Sequence, residues 1–262
     1  MSNHQPISRT VPSAANQPSA NQTRPHTFRG TARIIGVIYL AGMVLGITGD
    51  RLIHSVLDTP DHLSTLAANS MLLSVGVVLW LLTVVGDAAH GILMYPVLQR
   101  HSVRAAVGYL AARIMDATFI AVMTLMILVH IPIGVEFVKA GSDTSYFQSL
   151  SAVLTQGQLY AYEIAMITVG VAGLILCSVF YRVSLIPRPL AIWGLVGYAI
   201  LLGGSVLQIL GFQLNSLNAI PGGLWEMFIG VWLIVKGFNP PVADAPTAAS
   251  SRTPELVGAA TS

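Results

Sequence analysis

The chain has 262 residues, 54% of them hydrophobic and only 9% charged, with a net charge of +2. Soluble domains carry about 25% charged residues, so this composition excludes an ordinary water-soluble enzyme. It fits a chain whose main partner is the lipid bilayer, with no nucleic acid expected.

Residues 1–32 are rich in Ser, Asn, Gln, Pro and Thr, contain no acidic residue and have no apolar run. They read as a disordered cytoplasmic tail rather than a signal peptide. A transmembrane helix needs about 20 apolar residues. On that template the spans are Arg33–Ile53, Leu72–Leu98, Val103–His130, Gln158–Tyr181, Arg188–Phe212 and Pro221–Phe238. Turn chemistry separates them at Thr59-Pro60-Asp61, Gln99-Arg100-His101-Ser102, Ile131-Pro132-Ile133-Gly134, Ile186-Pro187-Arg188-Pro189 and Ile220-Pro221-Gly222-Gly223. Pro96 falls in the last turn of the second span, where a missing donor costs least. Before the fourth span, Tyr146, Phe147, Leu150, Val153 and Leu154 recur at helical spacing, as an interfacial helix or an outward extension of that span. Small residues at Gly42 and Gly46, at Ala105, Gly108 and Ala112, and at Gly194 and Gly197 suggest close helix packing. From Asn239 to residue 262 the composition returns to Ala, Pro, Ser and Thr, a second disordered tail. The expected fold is therefore all-α: an integral membrane bundle of six helices over residues 33–238. The lone Cys177 lies in an apolar stretch and reads as a small hydrophobe.

The basic residues set the direction. Arg9, Arg24, Arg29, Arg33, Arg100, Arg104, Arg182, Arg188, Lys236 and Arg252 fall on one side, and only Arg51 and Lys139 on the other. Ten against two is a positive-inside pattern, so both termini are expected in the cytoplasm.

The residues that carry chemistry are the ionisable ones inside the spans: Asp87 and His90, Arg113 and Asp116, Glu163, and Glu226. A charge at the bilayer centre costs roughly 2.5–3.5 kcal/mol even on the lenient insertion scale, so these must face one another or water. At 1.5 Å per residue Asp87 lies about 16 Å below Leu98, and Arg113 and Asp116 about 14 and 18 Å from Arg104. The short loop between spans two and three makes them antiparallel neighbours, which puts all three residues in one layer. Asp87 with His90 and Arg113 with Asp116 are each three apart and share a face. An Arg between two carboxylates satisfies its donors and offsets part of the desolvation. Glu163 and Glu226 are expected a turn or two below the outer boundary, beside Asp50, Arg51 and His54, as an outer funnel leading to that layer. Full ionisation of the four carboxylates beside Arg113 leaves −3, so at least one is expected to be protonated or paired with a cation.

Two readings stand: a structural clamp that fixes helix register, or a site for a small solute, ion or proton. An intramembrane enzyme using Asp87, His90 and Asp116 is the third. No cofactor and no metal site are expected. His90 is the single deep histidine, which argues against zinc and paired-His haem, and no Gly-x-Ser-x-Gly, Walker or CxxC motif is present. Tyr39, Trp80, Tyr160, Trp193, Tyr198, Trp225 and Trp232 read most simply as packing or interface anchors.

Four short pieces also carry a family resemblance. They are Ala32-Arg33-Ile34-Ile35-Gly36-Val37-Ile38-Tyr39-Leu40 with Gly42 and Gly46; Gly86-Asp87 with Tyr95-Pro96-Val97-Leu98; Ile186-Pro187-Arg188-Pro189-Leu190; and Trp225-Glu226 through Trp232-Leu233-Ile234-Val235-Lys236-Gly237. In order and spacing they resemble DUF4386, a bacterial membrane family defined as a domain of unknown function, over roughly residues 30–240. Ala112-Arg113-Ile114 is similar to that family's arginine in the third span. The resemblance implies about six helices in a bacterial inner membrane and no assigned activity, substrate or cofactor. It draws attention to Asp87, Arg113 and Glu226; His90 and Asp116 rest on geometry alone.

Overall fold

A computed structural model describes residues 27–141, 145–214 and 217–239. The elements are α1 (Thr27–Leu57), α2 (His62–Ala68), α3 (Ser70–Leu98), α4 (Val103–Ala140), α5 (Ser145–Val183), α6 (Arg188–Ile209), a 3-10 turn (Leu217–Ala219) and α7 (Ile220–Val235). Among the described residues there is no strand, and six helices are long and apolar enough to cross a membrane; only α2 is too short. The protein is an all-α, multi-pass membrane bundle. Its outward face is apolar as lipid demands: Val44, Val85 and Met71 are 65%, 65% and 81% exposed.

The six spanning helices close into a ring. α1 packs on α3 and α7, α3 on α4, α4 on α5, α5 on α6, and α6 on α7, while no spanning helix packs extensively on one across the circle. Two apolar clusters fill the ends of the ring. One contains Ile35, Met94, Leu98, Phe180 and Trp225; the other contains Ile53, Leu73, Ile120, Ile127 and Ile133. Counted along α3 and α4, the charged residues Asp87, Arg113 and Asp116 fall between them.

Both ends of the described chain lie at one end of the ring. A Cβ on Gly237 would come 3.8 Å from Arg29 Cγ, and Asn239 Nδ2 donates to the Ser184 carbonyl at 2.9 Å in the α5–α6 turn. Residues 27–32, read from sequence as tail, are the first turns of α1. The expected tails otherwise fall at 1–26 and 240–262, outside the described residues, as do Arg9, Arg24 and Arg252.

The span boundaries differ most on the far side. The expected break at Ile131-Pro132-Ile133-Gly134 is absent: α4 runs through Pro132 to Ala140. A proline removes one backbone bond, and here the helix beyond it is held by packing, because Gly134 sits against Leu63 O and Leu66 Cβ of α2, each 2.8 Å from where its Cβ would stand. The helical spacing around Phe147 is an outward extension, continuous with the rest of α5. The loop after Thr59-Pro60-Asp61 contains α2, whose His62 Nε2 meets Ser151 Oγ on α5 at 3.0 Å. At about 1.5 Å per residue, α4 and α5 are each nearly 60 Å long, twice a hydrocarbon core. Their far ends project beyond it, and α2 packs there mainly on α4, with His62 reaching α5.

The close helix approaches also shift. On α1 they are at Gly36 and Gly49, flanking the expected pair Gly42 and Gly46. A Cβ on Gly49 would stand 2.8 Å from Gly76 O, and one on Gly76 2.9 Å from Gly49 O. Both obstacles are backbone and cannot rotate away. Gly49→Ala is therefore expected to cost about 1–3 kcal/mol, as overpacking does, read as an earlier unfolding midpoint in detergent. An unchanged midpoint would contradict the close α1–α3 crossing.

Candidate functional site

The site is built from α3 and α4 first. Their antiparallel pairing across the short Gln99–Ser102 connection sets Asp87 opposite Arg113. Ser102 caps α4 by accepting the Ala105 amide at 3.2 Å, which fixes where α4 begins. Gly91 on α3 makes room for the arginine: a Cβ there would lie 3.1 Å from Arg113 Cβ. Arg113 Nη2 donates to Asp87 Oδ1, and Nη1 stands 3.1 Å from Asp116 Oδ2, one helical turn along α4. The three residues expected in one layer are thus in direct contact. Asp116 is 1% exposed and Arg113 8%, whereas the Asp87 side chain keeps 26% of its surface open. The clamp is tight but not saturated, since Arg113 Nε has no hydrogen-bond partner.

His90 does not join the carboxylates. Its Nδ1 meets the Tyr109 hydroxyl at 2.5 Å, and its ring stands edge-on to Tyr39 with centroids 4.6 Å apart. His90 Nε2 is buried without a partner. From Tyr39 the contacts continue edge-on to Trp225 at 6.2 Å and from Trp225 to Tyr198 at 5.4 Å. Trp225 Nε1 is fixed by the Leu190 carbonyl at 2.7 Å. Tyr198 donates its hydroxyl to Glu226 Oε1 at 2.9 Å. Tyr39, Tyr198 and Trp225 are therefore interior parts of the polar network, where sequence suggested packing or interface anchors.

Glu226 belongs to the central layer, a correction to its expected place near the outer boundary. Tyr198, the hydrogen-bond partner of Glu226, is mid-helix in α6. The cause is the depth at which α7 starts. The chain turns back after Ile209, and the 3-10 turn places Asn218 against Gly204, five residues or about 7.5 Å below the end of α6. Six residues into α7 is already mid-bundle.

Glu163 stands apart from both groups. Its Oε1 accepts from Gln208 Nε2 at 2.8 Å, while Oε2 is buried with no partner. It lines a tight crevice, closed to a water-sized probe, with Tyr162, Ser205, Gln208 and Asn218. Asn218 Nδ2 reaches Leu201 O and Ser205 Oγ at 3.4 Å each, and its Oδ1 is unpartnered. Two buried acceptor oxygens without donors thus border one crevice. Asp50 and His54, expected beside the two glutamates, instead pair with each other at 3.4 Å and, through His54, with Asp58 at 3.1 Å on the exposed end of α1.

The interior of the ring therefore holds four carboxylates, one arginine, a histidine and a belt of tyrosines. Among the described residues no three His, Cys, Asp or Glu side chains converge as a metal site. Charge compensation and proton or cation exchange are the chemistries this set can perform. Tyr109 was missed from sequence, although it lies four residues before Arg113 and so shares its face. Ser205 and Gln208 on α6 carried no such signal, because what brings them to Glu163 and Asn218 is helix packing and the 3-10 turn at Leu217–Ala219.

The family model described as "Domain of unknown function (DUF4386)" matches residues 34–237. The chain belongs to that family. No curated protein matches it, and no solved structure does.

Proposed function

We propose that this DUF4386 protein binds a proton or a small monovalent cation inside its six-helix ring and passes it across a bacterial inner membrane, its termini cytoplasmic. The observation that carries the reading is the surplus of carboxylates over cations in the interior: Asp87, Asp116, Glu163 and Glu226 against Arg113 alone. Buried carboxylates in lipid are costly unless balanced, and a mobile positive charge balances them. Oxygen-only donors favour a hard cation over a transition metal. Arg113 would hold the central layer, Asp116 and Glu226 would exchange the proton or cation, and Glu163 would stand on the outer side. The Lys and Arg asymmetry supports the orientation.

One observation favours a second reading, a structural clamp. Arg113 is already paired on both sides, with Asp87 and with Asp116.

Vesicles reconstituted with the protein separate the two. Asp116→Asn and Glu226→Gln leave the Arg113–Asp87 pair in place. Under an imposed potential each is expected to lower proton or sodium flux at least tenfold while eluting as a folded species. Wild-type flux no higher than that of empty vesicles would leave the clamp as the function of these residues.

A further inference from the structure

The outer surface of the ring carries a cavity at the end where both described termini lie. It is a groove of about 480 Å³ between the start of α4 and the end of α5. Its rim carries His101, Arg104 and Arg182, and its floor is Leu174, Ile175 and Val179. No acidic residue lines it. Ser102, also in the lining, caps α4, so the positive end of that helix opens at the same place. Arg104 and Arg182 are both exposed, on helices whose other sides are committed to the bundle.

We infer that this groove is a binding site for one anionic phospholipid, its phosphate between Arg104 and Arg182 and an acyl chain along Leu174 and Ile175. The chemistry is two-part. Two guanidinium groups and a helix N-terminus match a phosphate monoanion or diester, and basic pockets between helices at the membrane surface take acidic headgroups. A free anion would need only the rim. The apolar floor, extending eight residues or about 12 Å along α5 from Arg182 to Leu174, has no role for inorganic phosphate and suits a hydrocarbon chain. The positive-inside direction would place the site in the cytoplasmic leaflet. This assignment does not depend on any transport activity of the ring.

The test is native mass spectrometry of the full-length protein released from detergent containing equal dioleoyl phosphatidylglycerol and dioleoyl phosphatidylcholine. One phosphatidylglycerol is expected to be retained at least fivefold over phosphatidylcholine. Arg104→Gln with Arg182→Gln should abolish the preference. Arg33→Gln, an exposed arginine of α1 on another side of the ring, should leave it intact. Ile175→Trp, which fills the floor without touching charge, should reduce retention of phosphatidylglycerol. Arg182→Lys, which keeps the charge, should retain it and shows that the fold tolerates change there. Equal retention of the two lipids by the wild type, or an Arg33→Gln effect as large as the double variant's, overturns the site. So does full competition by inorganic phosphate at matched concentration, which would show the rim acting alone.

Discussion

Arg113→Gln is expected to destabilise the protein by about 3–5 kcal/mol, the cost of breaking a buried ion pair by removing one partner. The residue is 8% exposed and is the sole cation of the central layer. Its loss strands both Asp87 and Asp116, and the 1%-exposed Asp116 has no other ion-pair partner among the described residues. Glutamine also leaves the space above Gly91 partly filled, so the defect is electrostatic before it is steric. Asp87→Asn should cost less, because that side chain is a quarter exposed and an amide still accepts from Nη2. The measurement is unfolding of purified protein by added dodecyl sulfate, which gives a free energy for each variant. Combining the two substitutions should cost less than their sum, since the second removes a charge the first had stranded. Additive values would mean that the two side chains do not interact. Replacing all three by leucine tests what the charges are for. A fold that survives it at wild-type stability, as buried ion pairs replaced by apolar groups often do, assigns them to function rather than to support.

Gly173→Ala is the second large expected effect. A Cβ at that position would overlap the Tyr198 ring at three carbons. Tyr198 is 3% exposed, its hydroxyl is tied to Glu226, and its ring packs at a steep angle on Trp225, so the ring has little room to yield. Overpacking of this kind costs about 1–3 kcal/mol, occasionally more, and α5 must separate from α6 to relieve it. Tyr198→Phe should not rescue the variant, because the ring remains. Tyr198→Ala should recover part of the loss in the same unfolding assay. Rescue by phenylalanine would place the conflict at the hydroxyl and contradict the geometry.

The layer of Asp87, Arg113 and Asp116 was legible from sequence because it needed little: two adjacent helices, a loop too short for anything but an antiparallel pair, and a fixed rise per residue. The six spans and the family were legible for a similar reason, since hydropathy and short ordered motifs survive without tertiary knowledge. What failed depended on three-dimensional return paths. Glu226 was placed too far out because hydropathy cannot register a chain that folds back before starting its helix. His90 was grouped with Asp87 by spacing, but side-chain reach gave it to Tyr109 on the neighbouring helix. Pro132 read as a stop, as proline does in isolation, and packing on α2 overrode it. Asn218 and Gln208, in or before a loop, offered no periodicity to read.

That folded-back turn has a mechanical consequence. Elsewhere around the ring, parting two helices means unpacking a long seam of side chains and, at Gly49 and Gly76, of backbone. Beside the Glu163 crevice, the side chain of Asn218 holds the turn to α6 through two hydrogen bonds at 3.4 Å, the weak end of the useful range, each worth about 1 kcal/mol. The 3-10 turn thus closes the crevice through polar contacts, where the other seams of the ring are closed by packing.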